Sequence, residues 1–158
     1  MPVKKVAEYL NTHHVTFSVR SHPPAFTAQE VAEKAHISGY QVAKTVVVKL
    51  DGKLALCILP ATDRVNFSML RQAAGSHTAE LASEDEFAGF FPFCELGAMP
   101  PFGNLYGMPV YAFDSLQSGE PLAFNSGDAT ELLVLKWGDF DKLVDPVILT
   151  DRQKAAIA

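Results

Sequence analysis

The sequence is short of the residues that mark most kinds of active site. Its 158 residues hold two cysteines, Cys57 and Cys94, far apart and in no CxxC pair. That spacing supports neither a disulfide framework nor a thiolate metal site and leaves two reduced, buried thiols as the expectation. Five histidines, His13, His14, His22, His36 and His77, are scattered without metal-ligand spacing, so no metal is expected. No P-loop, GxGxxG, HExxH or GxSxG occurs, which removes the usual support for nucleotide-binding, zinc-protease and serine-hydrolase chemistry. No apolar run approaches the length of a bilayer crossing, and the first residues read as an amphipathic pattern instead of a signal region. A cytoplasmic location and no membrane partner are therefore expected. Positive charge is also scarce: 13 Lys and Arg face 18 Asp and Glu, a net charge of −5. This argues against gripping long stretches of nucleic-acid backbone, DNA included, but a partner held only at one end needs no more than a local positive spot.

What is present describes an ordinary soluble α/β domain. Hydrophobic residues make up 48% and charged residues 20%, and the length suits one domain spanning 1–158, with a tail from about 150 that is frayed or loosely helical. Val3, Val6 and Leu10 predict a helix from Pro2 to about Asn11, and Val15–Val19 alternates as a short strand before His22-Pro23-Pro24. Thr27-Ala28-Gln29-Glu30 has the form of a capping box opening a helix that ends near His36 to Gly39. The firmest local feature is the pair of aliphatic runs 44–50 and 54–59 around Asp51-Gly52, a hairpin of central strands covered on both faces. Helices follow at about Phe67–Ala74 and after Ser83, with a brief strand at Thr78–Leu81 between them. Strands are expected at about Val110–Ala112, Leu122–Asn125 and Glu131–Lys136, then a helix at Gly138–Val144, with Pro146 closing the domain.

Two features invite a functional reading. Lys44 opens the strongest strand, where a charged side chain needs a reason; an edge lysine whose stem lies on the sheet is the commoner arrangement. The stretch Pro92–Pro109, with three glycines and four prolines, is too long for a simple connector. Within it Gly97-Ala98-Met99-Pro100-Pro101 is either a rigid structural turn or a preshaped loop whose backbone groups meet a small polar ligand.

Lys44 within Ala43-Lys44-Thr45-Val46-Val47, the GxxxP segment Gly97–Pro101, and Phe124-Asn125-Ser126-Gly127 together resemble the YbaK family, related to the editing domain inserted in bacterial prolyl-tRNA synthetases. The likeness runs in order from about His22 to Pro146. It implies an α/β (α+β) fold with a mixed, partly barrel-like sheet flanked by helices. It also implies an aminoacyl-tRNA deacylase acting in trans on the 3′ end of mischarged tRNA, with a synthetase as a candidate second partner and no metal or organic cofactor. The lysine matching Lys44 is the family residue tied to activity, and the GxxxP loop shapes the amino-acid pocket. Further binding candidates are Phe26, Thr27, Ser126, Gly127 and Asp128.

The chain departs from the family at Ala129, where many relatives carry histidine, so a role for that histidine does not transfer; Asp128 is either a nearby polar group or a capped turn aspartate. An activated ester needs a placed water or ribose hydroxyl and a stabilised oxyanion, which a lysine and backbone amides can supply without a Ser-His or Cys-His pair. The first substrate suggested is tRNA(Pro) carrying a small non-cognate amino acid. A hydrophobic pocket separates side chains differing by one methylene by only about 1–3 kcal/mol, so sequence does not say which one. The alternative from another class is a non-catalytic module that binds an aminoacyl group or RNA end.

Overall fold

The fold is described from a computed structural model, covering residues 4–21, 41–117 and 121–150. Helix α1 (Lys4–Thr12) leads into strand β1 (Ser18–Ser21); β2 (Gln41–Leu50) and β3 (Lys53–Pro60) form the central hairpin. Helix α2 (Phe67–Ala74), strand β4 (Ala79–Leu81) and the short helix α3 (Glu84–Phe87) follow. Then come β5 (Val110–Phe113), β6 (Leu122–Asn125), β7 (Glu131–Leu135), α4 (Trp137–Val144) and β8 (Val147–Leu149). The strands build one mixed sheet in the order β1-β7-β6-β2-β3-β5-β8, with β4 added to β2. The β6/β2, β3/β5 and β5/β8 pairs are parallel and the rest antiparallel.

The hairpin forms where its turn chemistry places it. Asp51 and Gly52 both take positive φ, 51° and 81°, the backbone of a two-residue turn whose twist matches the strands it joins. The Asp51 carboxylate also accepts from the backbone N–H groups of His77 (3.0 Å) and Thr78 (2.9 Å), tying the turn to the start of β4. Those bonds, Thr78 first, hold its carboxyl below the usual range.

Alternation along β2 and β3 feeds two cores, one on each face. Val47, Leu56 and Ile58 join Val6 and Leu10 of α1, Phe140 of α4, Phe102 and Phe124 in the larger core. Val48, Leu50, Ala55, Cys57 and Leu59 join Met69 and Leu70 of α2, Tyr111 and Leu149 in the other. Leu56, Ile58 and Leu59 are wholly buried, so the hairpin is the spine on which both layers rest. Asn66 caps α2 by accepting from Met69 N–H at 3.0 Å, and Gly75 ends it in the left-handed region at φ 66°. Lys49 pins β4 and α3 to β2 through Glu80 (3.3 Å) and Glu86 (2.7 Å). The Lys49 ammonium, with the Ser83 backbone, lowers Glu86 to about 2.

Two expectations are corrected. The first strand begins at Ser18, not Val15: the chain leaves α1 through His14 at φ 56° with Val15 N–H bonded to Leu10 O, so Val15 and Phe17 pack on the larger core as a connector before pairing starts. Pro146 does not close the fold, because Val147–Leu149 adds a parallel strand beside β5. The expected helix opening at Thr27-Ala28 and the tail from 151 lie outside the described residues. Among the described residues no helix is long and apolar enough to cross a membrane.

Candidate active site

The sheet parts beside Lys44. On one side β2 is paired with β3 along its length, Lys44 lying opposite Leu59. On the other side β6 pairs only with Gln41 and Val42, and β4 only with Val48 to Leu50. Among the described residues no strand borders Ala43–Val47 on that side, and Lys44 lies in the split. Directly opposed residues share a face, so Lys44 points with Leu59 toward the core that contains Cys57. It is half-buried, and among the described residues neither a hydrogen bond nor an ion pair engages its ammonium.

Cys57 shows what this environment does to a thiol. Burial pushes it up to about 12, with the Lys44 charge pulling the other way. Burial also raises Cys94, against the Tyr106 hydroxyl and Lys5. Both cysteines are free and neither is held as a thiolate, so the reactive form of a cysteine nucleophile is missing at neutral pH. Cys94 is only half-buried, less enclosed than the expected buried thiol.

The two loops singled out in the sequence meet. Beyond Ala123, β6 runs in the same direction as β2 does beyond Val42, and carries the chain through Asn125 to Ser126 and Gly127. There Gly127 N–H donates to Ala98 O at 2.6 Å and Glu95 N–H donates to Gly127 O at 2.8 Å, a two-bond clamp between GxxxP and the β6–β7 turn. Gly97 at φ 94° and Gly127 at φ 106° bend the chain where a side chain is disfavoured. Ala98, Met99, Pro100 and Pro101 are buried while Gly97 is exposed, so the loop is anchored by its second half and presents its first. Met99 serves the larger core, and the Gly97 N–H meets its thioether sulfur at 3.1 Å, a weak acceptor. Behind the loop, Gly103 packs so closely on Met108 and Val110 that a Cβ there would overlap both.

The β6–β7 turn is held from within. Asn125 donates to the carbonyls of Asp128 (3.2 Å) and Glu131 (3.0 Å), and Asp128 accepts from the N–H (2.8 Å) and hydroxyl (2.6 Å) of Thr130. Asp128 is thus engaged in turn capping. Ser126 is 1% exposed, and its hydroxyl has no hydrogen-bond partner among the described residues. Burying a hydroxyl unpaired costs about 1–3 kcal/mol.

Sequence reasoning missed Glu95. Its carboxylate accepts from Ala129 N–H at 2.8 Å, so Ala129 is fixed here through its backbone. A charged residue two positions before GxxxP was the only available signal. Phe26 and Thr27 lie outside the described residues. A separate cavity of about 630 Å³ opens at the far end of the hairpin, lined among others by Leu50, Lys53, Tyr106 and Met108; none of the predicted site residues lines it. Among the described residues no cluster of three or more His, Cys, Asp or Glu is placed to hold a metal.

Comparison with known proteins gives this geometry a context. The model of the aminoacyl-tRNA editing domain matches residues 22–143. The multifunctional Ser/Thr-tRNA deacylase ProXp-y of Escherichia coli strain K12 is 28% identical over 160 residues, covering 96% of this chain and 93% of that protein. Among solved structures, hypothetical protein APE2540 superposes with a TM-score of 0.81 at 20% identity, covering 92% of this chain and 97% of that one. A candidate trans-editing enzyme for prolyl-tRNA synthetase superposes at 0.76 and 18%, covering 92% of each. Both share the fold.

Proposed function

The chain belongs to the aminoacyl-tRNA editing domain family, and from that premise we propose that it is a trans-acting deacylase that frees a small non-cognate amino acid from the 3′ end of tRNA. It is a hydrolase. The observation that carries the site assignment is the half-buried Lys44 ammonium, uncommitted among the described residues and set where the sheet parts. The clamp between Glu95–Ala98 and Gly127 supports the same reading, since it gives the adjoining loops one shape before substrate arrives.

The chemistry asked of the protein is modest. A water oxygen attacks the ester carbonyl carbon, negative charge collects on the carbonyl oxygen, and the bond to the ribose oxygen breaks. That oxygen takes a proton, leaving a free amino acid and a tRNA with its hydroxyl restored. Lys44 supplies positive charge for the developing oxyanion or the terminal nucleotide, and the Gly97 N–H, engaged among the described residues by a thioether alone, is assigned as a second donor. A terminal ribose hydroxyl orients the water. With both cysteines protonated, no covalent acyl-enzyme is required. Phe26, Thr27, Met99, Pro100, Pro101 and Asp128 are assigned to shaping the pocket, and Ser126 offers a buried hydroxyl that a bound polar group would satisfy.

The amino acid is assigned to the small class that includes serine and threonine, in keeping with the name of the Escherichia coli relative, and tRNA(Pro) is kept as one carrier among several. The test is a panel of serine, threonine, alanine and cysteine esters on tRNA(Pro) and on their own tRNAs. Hydrolysis of at least one ester well above its spontaneous rate is expected. Tight binding with every ester left intact would instead establish the non-catalytic module.

A further inference from the structure

Phe93 breaks two rules at once. It is 95% exposed, so its ring gains nothing from burial, and its φ of 66° lies in the left-handed region, which a side-chain-bearing residue rarely adopts. The turn explains the second fact. Cys94 N–H donates to Phe91 O at 3.3 Å, which puts Pro92 and Phe93 at the central positions of a β-turn. Proline suits the first of these, and glycine or asparagine suits a second that needs positive φ. Phe91 anchors the turn from beneath, 2% exposed and packed on Phe87 and Tyr106 with ring centroids 6.2 and 4.7 Å away. With Phe91 inward, Phe93 is thrown outward.

Its place gives the exposed ring a use. Phe93 lies two residues before Glu95, whose N–H and carboxylate tie this loop to Gly127 and Ala129. We propose that Phe93 is a stacking platform for an unpaired base at the 3′ end of the tRNA, an assignment that rests on the deacylase reading above. A net charge of −5 gives this chain little general hold on phosphates, and the charged residue nearest Phe93 in sequence is an acid, Glu95. Stacking on an aromatic face needs neither charge nor a particular base, and suits single-stranded ends whose bases are free to splay. A protein partner fits less well. Apart from Phe93, the larger exposed apolar side chains nearest in sequence are Pro92 and the half-exposed Phe90 and Leu96, a patch well short of the roughly 800 Å² per partner of a stable protein interface.

The experiment uses the full chain with RNA hairpins carrying 2-aminopurine at the terminal 3′ position or the one before it, together with steady-state deacylation of an active ester. Binding is expected to quench the 2-aminopurine, Phe93→Ala to abolish the quench and raise KM about ten-fold with little change in kcat, and Phe93→Trp to restore both. Quenching and KM unchanged in Phe93→Ala would overturn the proposal, as would no quenching with the wild type at saturation. Should the wild type hydrolyse no ester, the deacylase reading fails by itself, and the quench still decides whether Phe93 stacks a base.

Discussion

The β2–β3 hairpin and the pair of loops joined at Gly127 are built by opposite means. The hairpin is continuous in sequence, turns on two residues and is held by apolar burial on both faces. The loops come from segments about thirty residues apart and carry glycines at positive φ; each buries part of itself, Ala98–Pro101 and Ser126–Gly127, but what joins one to the other is a few polar bonds, two of them from the exposed Glu95. Burial on that scale makes the hairpin the source of stability, whereas the loops' polar bonds add little to it and fix a shape instead. Damage to one region should therefore appear as unfolding, and damage to the other as lost activity in a folded protein.

The largest expected effect sharpens that contrast at the boundary between the regions. Lys44→Ala should lower kcat/KM for deacylation by about a hundred-fold or more, the scale seen when a group stabilising an oxyanion is removed, with the thermal midpoint nearly unchanged because no hydrogen bond or ion pair among the described residues is lost. Assay of purified variant with a melting curve checks both halves. Next comes Ile58→Ala, which removes a wholly buried side chain and should cost about 2–5 kcal/mol. Denaturant unfolding should show that loss, while activity per folded molecule stays near wild type.

A smaller effect concerns acid. The carboxyls of Asp51 and Glu86 are lowered in the folded state, Glu86 to about 2, so the stability they lend is complete above their unfolded values near pH 4 and is lost as pH falls from there through each group's folded value. Asp51→Asn keeps a side chain that tolerates positive φ but removes the charge. The variant should be slightly less stable at pH 7, and its unfolding should depend less steeply on pH below about 4, while deacylation at neutral pH is untouched. A loss of activity at pH 7 equal to that of Lys44→Ala would break the comparison.

Legibility in the sequence followed the same division. The hairpin, α2 and the strand at Leu122–Asn125 were readable because their causes are local: a turn pair, an apolar period, an Asn or Gly at an end. Ser18–Ser21 and Val147–Leu149 were displaced or missed because partners distant in sequence decide where pairing starts. Lys44 and GxxxP were visible as residues, but the parting of the sheet beside Lys44 comes from β6 and β4 pairing with different ends of β2. Ser126 carried no sign that its hydroxyl would be buried unpartnered, and Glu95 none that it would hold Ala129. These follow from the meeting of two loops, which no window of sequence contains.

That meeting is the centre of the account, and Glu95→Ala tests it most directly. The side chain is exposed and outside both cores, and its loss removes the acceptor that fixes Ala129 N–H. Single-turnover deacylation of a wild-type substrate should slow about ten-fold while the thermal midpoint moves by no more than a degree or two. An unchanged rate would contradict the claim that the Glu95 bond to Ala129, added to the backbone clamp at Gly127, shapes the site.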